Sequence, residues 1–136
     1  MRAMENLEYS FIIKELKPAE GKHFSNVYKI AEGKYRIKIG DVQILLQAGV
    51  RLNIAKYLEE TTEPDGFILT TKQHLDNAKL SSISQHNGDR VVIFEFGSVG
   101  SGLLLVFEGF GKGNLVLVKD GKTITAIREE SWSDRE

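Results

Sequence analysis

The chain has 136 residues, a hydrophobic fraction of 41%, a charged fraction of 27% and a formal net charge of −1. That length suits one domain with a moderate core. The near-neutral balance argues against a protein that coats nucleic acid indiscriminately, while leaving room for a local basic face. With no cysteine in the chain, disulfide staples, thiol nucleophiles and cysteine-based zinc sites are excluded.

No apolar run reaches the length of a membrane span and the N-terminus has no signal-peptide pattern, so a cytoplasmic location with no membrane partner is expected. Asn6 predicts the cap of a first helix with Leu7, Phe11, Ile12 and Leu16 on its apolar stripe and Pro18 closing it. From Phe24 the period changes to two. Val27, Tyr28 and Ile30 run to a Glu32-Gly33 turn, and Tyr35, Ile37 and Ile39 then alternate with Lys34, Arg36 and Lys38. Alternation puts those three cations on one sheet face. They read either as an edge strand defended by charge or as phosphate contacts. Gly40-Asp41 and Ala48-Gly49 then punctuate two further strands, giving an antiparallel meander.

Residues 56–63 are polar and loop-like. Thr62 with Asp65, and Pro64 in the first turn, predict a second helix that buries Phe67, Ile68, Thr71, Leu75 and Ala78. A strand from Leu80 leads to Asn87-Gly88, a two-residue hairpin signal because both positions tolerate positive φ. Asp89 and Arg90 follow directly, held at a strand mouth. From spacing alone their default reading is a turn ion pair of little energetic worth. Val92, Phe94 and Phe96 face one way and Val91 and Ile93 the other, predicting a strand buried on both faces. A second run begins at Leu103, and Asp120-Gly121 marks a second two-residue hairpin. The sum is an α+β fold, an antiparallel β-sandwich or flattened barrel of about nine short strands with two helices packed on it. Residues 1–128 form the domain, and 129–136 form a charged tail, anchored only by Trp132, or the start of a downstream region.

Few residues suggest bond-making chemistry. Gly109, Gly111 and Gly113 flank Lys112, but a dinucleotide fingerprint needs other spacing and a following helix, and a phosphate loop needs Ser or Thr where Gly113 stands. These glycines read as a β-bulge with close backbone approach, or as an amide nest for one phosphate. His23, His74 and His86 are too dispersed for a metal site. No nucleophile elbow or carboxylate pair stands out. A binding module that needs no cofactor, metal or small-molecule substrate is the expectation, not an enzyme.

Longer blocks say more. Leu7-Glu8, Lys14-Glu15-Leu16-Lys17, Val27-Tyr28-Lys29-Ile30 and Ala48-Gly49-Val50-Arg51-Leu52 come first. Pro64 with Phe67, Lys72-Gln73-His74-Leu75, Asp89-Arg90-Val91-Val92 and Phe110-Gly111-Lys112-Gly113-Asn114 follow in order. Together they resemble the N-terminal domain of the NFACT family, ribosome quality-control factors long described as fibronectin-binding proteins, with the archaeal branch most similar. The resemblance implies a fold related to the N-terminal domain of formamidopyrimidine-DNA glycosylases. It also implies, as partners, tRNA and a large ribosomal subunit carrying stalled peptidyl-tRNA, whose nascent chain is extended without mRNA while the ribosome performs the transfer. The family's required Asp-Arg pair maps onto Asp89 and Arg90, and its other required acid, an Asp, onto Glu8. Arg51, Lys72 and Lys112 become candidate phosphate contacts, although Gln73 replaces a cation that many members carry beside Lys72.

Two other functions compete. The glycosylase-like reading, a DNA-binding domain with inherited activity, needs an N-terminal proline amine followed by glutamate, whereas this chain opens Met1-Arg2-Ala3. The adhesion reading, fibronectin binding, needs display at a cell surface that the sequence does not explain.

Overall fold

The computed structural model describes residues 4–98 and 100–128; the opening Met1-Arg2-Ala3 and the expected tail at 129–136 lie outside the described residues. Helix α1 (Asn6–Leu16) runs into a 3-10 turn (Lys17–Ala19). Strands β1 (Phe24–Ala31), β2 (Lys34–Ile39), β3 (Val42–Gln47) and β4 (Arg51–Ile54) come next, then helix α2 (Gly66–Leu75). Strands β5 (Leu80–Gln85), β6 (Val91–Phe96), β7 (Leu103–Glu108), β8 (Asn114–Lys119) and β9 (Lys122–Ala126) complete the order.

The strands form two antiparallel sheets, β1-β2-β3-β4 and β5-β6-β7-β8-β9. Every neighbour in a sheet is also a neighbour in sequence, joined by a short connection. Asn87 and Gly88 both take positive φ, as do Asp120 and Gly121. The second pair is a two-residue hairpin between Lys119 and Lys122, whereas the first makes its turn inside the longer loop 86–90 that joins β5 to β6. The sheets do not close into a barrel. Among the described residues, one isolated bridge, His23 with Lys79, joins them at one corner, so the sandwich form of the expectation holds.

Alternate residues of both sheets meet in one core with both helices. Tyr35, Ile37 and Ile39 of β2 share it with Phe94 and Phe96 of β6 and with Phe107 of β7. Phe24 meets Phe96 edge-on at 6.4 Å, a contact between the two sheets.

Helix α1 is phased differently from the expected stripe. Tyr9, Ile13 and Leu16 face the core, while Leu7 and Phe11 are 68% and 58% exposed. The larger payload decides the phase: the Tyr9 ring packs 6.1 Å from that of Phe107 and is wholly buried. The cap moves by one residue as well. Glu5, not Asn6, is the N-cap, and the Glu8 carboxylate reaches back to accept from the Glu5 amide at 3.0 Å.

Helix α2 likewise starts at Asp65 rather than on a Thr62 box with Pro64 in its first turn. One Asp65 oxygen accepts from the Ile68 amide at 2.9 Å and the other from the Tyr35 hydroxyl at 2.7 Å, with the Lys29 ammonium 3.3 Å away. Burial alone would raise this carboxyl, but the Ile68 amide, the Tyr35 hydroxyl and Lys29 outweigh it and hold it below its ordinary value. A carboxylate depressed in the folded state adds stability above its unfolded pKa of about 3.9, and that stability is lost as pH falls through the folded value. Asp65→Ala is therefore expected to cost about 2–3 kcal/mol at neutral pH, through the lost cap and the stranded Tyr35 hydroxyl. Urea unfolding at pH 7 and pH 3 measures it; a penalty of equal size at both would contradict this account.

Candidate nucleic-acid interface

Four segments far apart in sequence converge at one end of the sandwich. They are the start of α1, the β3–β4 turn, the β5–β6 turn and the β7–β8 loop. The Met4 amide donates to the Val50 carbonyl at 2.7 Å, tying the first segment to the second. The Gly49 amide donates to the Glu108 carbonyl at 3.1 Å, and the Gly109 amide to the Arg90 carbonyl at 2.7 Å, so the β7–β8 loop touches both other turns. Gln85 Nε2 donates to the carbonyls of Asn6 and Asp89 at 3.2 and 2.7 Å, closing the ring.

Two glycines make the approach possible. A Cβ on Gly109 would strike the Tyr9 hydroxyl and lie 2.7 Å from Tyr9 Cζ. A Cβ on Gly113 would fall on the backbone of Ala48 and Gly49. The loop 109–113 is thus no bulge, since Glu108 pairs with Asn114 without any register shift. It is a tight connection whose glycines permit the close backbone approach that their spacing suggested, with Lys112 exposed near its tip.

Asp89 and Arg90 are fixed by their main chain. The Asp89 amide donates to the His86 carbonyl at 2.8 Å, closing the turn over Asn87-Gly88, and both residues' carbonyls hold the neighbours named above. Among the described residues no ion pair links the two side chains, so the turn ion pair that spacing alone favoured is not what holds them. Asp89 is exposed and Arg90 half-buried, the latter lining a shallow cavity with Glu5, Asn6 and Leu7.

Tyr9 lies beneath this cluster. Burial pushes its phenol up to about 12, against the pull of Arg90 and Arg51 and with a push from Glu8. All three charges thus act electrostatically on one buried hydroxyl. Glu8 and Arg51 also share a groove between α1 and β4 with Phe11 and Lys56. An acid, two guanidiniums and an exposed lysine on one surface can grip a phosphate and read a base edge together.

The chain matches the family described as NFACT N-terminal and middle domains over residues 9–136. It belongs to that family. It is similar to the "Ribosome quality control complex subunit 2" of Saccharomyces cerevisiae, 25% identical over 130 residues that span 90% of this chain. It is also similar to the "Archaeal Rqc2 homolog aRqcH" of Methanocaldococcus jannaschii, 42% identical over 78 residues and 57% of this chain. The match covers 12% of the length of each of these two relatives. Its fold is that of the N-terminal domain of fibronectin-binding protein PavA from Streptococcus pneumoniae. There the TM-score is 0.83 at 21% identity, over 98% of this chain and 59% of that one. At that identity the likeness concerns the fold alone.

In this NFACT domain, then, the structure gathers Glu8, Arg51, Asp89, Arg90 and Lys112 and leaves out Lys72. Lys72 sits on α2, which packs against β1 and β9 rather than against the strands that carry the cluster. Tyr9 is the residue sequence reasoning missed. Its i, i+4, i+7 relation to Ile13 and Leu16 was the available signal, masked by the competing stripe of Leu7 and Phe11. No helix among the described residues is long and apolar enough to cross a membrane.

Proposed function

We propose that this domain is the tRNA- and large-subunit-facing part of a ribosome-associated quality-control factor that promotes mRNA-independent extension of stalled nascent chains in the cytoplasm. The observation that carries the reading is the way Asp89 and Arg90 are held: among the described residues, every hydrogen bond that fixes them uses their main chain, which leaves an acid and a guanidinium side by side for a ligand to engage. Arg90 forks onto a phosphate or stacks on an unpaired base, and Asp89 accepts from a base edge. Arg51 and Lys112 add phosphate contacts that give affinity without sequence choice. Glu8 stiffens the start of α1 beside them. The domain positions RNA, and the ribosome supplies the peptidyl-transfer chemistry.

Binding of tRNA, and of large subunits carrying stalled peptidyl-tRNA, is expected to weaken with salt. The slope of log K against log salt should be about −2 to −3, as three cations each releasing about 0.7–0.9 counterion would give. Fluorescence anisotropy across a salt series measures it. No binding at low salt, or an affinity indifferent to salt, would overturn the reading.

A further inference from the structure

The cation triplet of β2 has no edge to defend. β2 lies between β1 and β3, and its outward residues fall into rows across the sheet. Lys34 faces Gln47, which faces Arg51; Arg36 faces Leu45, which faces Asn53. Segment 55–62 crosses over this face. The Ala55 amide ties it to the Gln43 carbonyl at 2.9 Å and the Thr62 amide to the Lys29 carbonyl at 2.8 Å. Midway, Glu59 pairs with Lys34 at 3.0 Å.

Under that strap lies a cavity of about 180 Å³, lined among others by Lys34, Arg36, Gln47, Arg51, Lys56 and Glu59. Glu59 is the one carboxylate in the lining, and Lys34 engages it. Arg36 is 6% exposed. Its guanidinium lies 4.4 Å from the Tyr28 ring and makes one long hydrogen bond, 3.4 Å, to the Glu59 carbonyl. No described group accepts from Arg36 Nε or from the enclosed Arg51 Nε, and none donates to Gln47 Oε1. Enclosing a guanidinium on so few partners is costly unless an anion completes its shell.

We infer that this strapped cavity is a binding site for a phosphate-type oxyanion, gripped by Arg36 and Arg51 with Lys56 at its mouth. Planar guanidinium forks match tetrahedral oxyanions with parallel hydrogen bonds. The Gln47 amide, turned over, offers its NH₂ group to the same ligand. One water occupies about 30 Å³ in the liquid, so the cavity admits the oxyanion while its ester group stays outside, next to Tyr57, which is 75% exposed. The cavity shares Arg51 and Lys56 with the groove beside α1, so the Arg36 cross-peak and the Arg36→Met variant, which touch only the cavity, separate this inference from the reading of the Asp89 and Arg90 face.

Titrating the chain with inorganic phosphate should shift the Arg36 Nε–Hε cross-peak in a ¹H–¹⁵N spectrum and saturate, whereas chloride at matched ionic strength should not. Arg51→Gln and Lys56→Gln, both at half-exposed or exposed positions, should each weaken phosphate binding about tenfold or more. Arg36→Met should abolish it, and if that variant fails to fold, the other two still decide. Adenosine monophosphate and a trinucleotide RNA lacking terminal phosphates separate the sources. Tighter binding of the first assigns the site to a free or terminal phosphate, and of the second to a backbone phosphate. Shifts that merely follow ionic strength, or saturable binding that survives Arg51→Gln and Lys56→Gln unchanged, would overturn the inference.

Discussion

Alanine at Gly113 is expected to destabilise the domain by about 3–5 kcal/mol, lowering its melting temperature by roughly 10–20 °C. The residue has φ +77°, and a Cβ there would overlap the Ala48 and Gly49 backbone and lie 2.6 Å from Gly49 Cα. The atoms in the way are main chain, held by the Gly49 amide's bond to the Glu108 carbonyl, so no side chain can swing aside. Gly111 is the internal control. It also has positive φ, +58°, but a Cβ there would meet nothing within 4 Å, so its alanine variant should cost only about 1–2 kcal/mol of left-handed strain. Urea unfolding of both variants measures the difference. Equal penalties would mean that the β3–β4 turn and the β7–β8 loop do not cross as described. Because the crossing sets where Lys112 and Arg51 stand, Gly113→Ala should weaken RNA binding even in the fraction that folds.

What could be read from the sequence was whatever local chemistry dictates. Asn87-Gly88 and Asp120-Gly121 each specify a turn through positive φ at both positions, the first inside the loop 86–90 and the second as a two-residue hairpin, and such turns fix which strands are neighbours. Hence the meander and its alternating faces were legible. The division into two sheets follows from the one long connection, residues 55–79 with α2 inside it, which interrupts the run of hairpins.

Helix phase was less legible, because α1 offers two apolar stripes of similar size. The choice between them depends on Phe107, almost a hundred residues away, and on the space that Gly109 leaves for the Tyr9 ring. The site was legible only as separate motifs. No spacing rule brings the segments of Glu8, Arg51 and Arg90 together, since their approach rests on four long-range contacts. The same limit applies to the outer cavity. The sequence puts Lys34, Arg36 and Lys38 on one face, but the register that sets Gln47 and Arg51 beside Lys34 is a property of the assembled sheet.

Arg90→Ala is expected to reduce tRNA affinity by about ten- to a hundredfold and to lessen the salt slope by about 0.7–0.9, the loss of one phosphate-neutralising cation. Stability should hardly change, because the bonds that Arg90 contributes to the fold come from its carbonyl, which alanine keeps. Asp89→Ala separates two roles by sign. A carboxylate that only happened to lie near the RNA backbone would repel phosphates, so its removal would tighten binding and steepen the salt slope. A carboxylate that accepts from a base edge, or that orients Arg90 on the ligand, gives the opposite result: weaker binding at every salt concentration and an unchanged slope. The second outcome is the expected one, with the Asp89 turn intact because its closing bond to His86 is also main chain. Anisotropy titrations of both variants over one salt series decide it. An Arg90→Ala complex with wild-type affinity and slope would show that this turn does not face the RNA, and a tighter Asp89→Ala complex would show that Asp89 lies beside the phosphates without recognising a base.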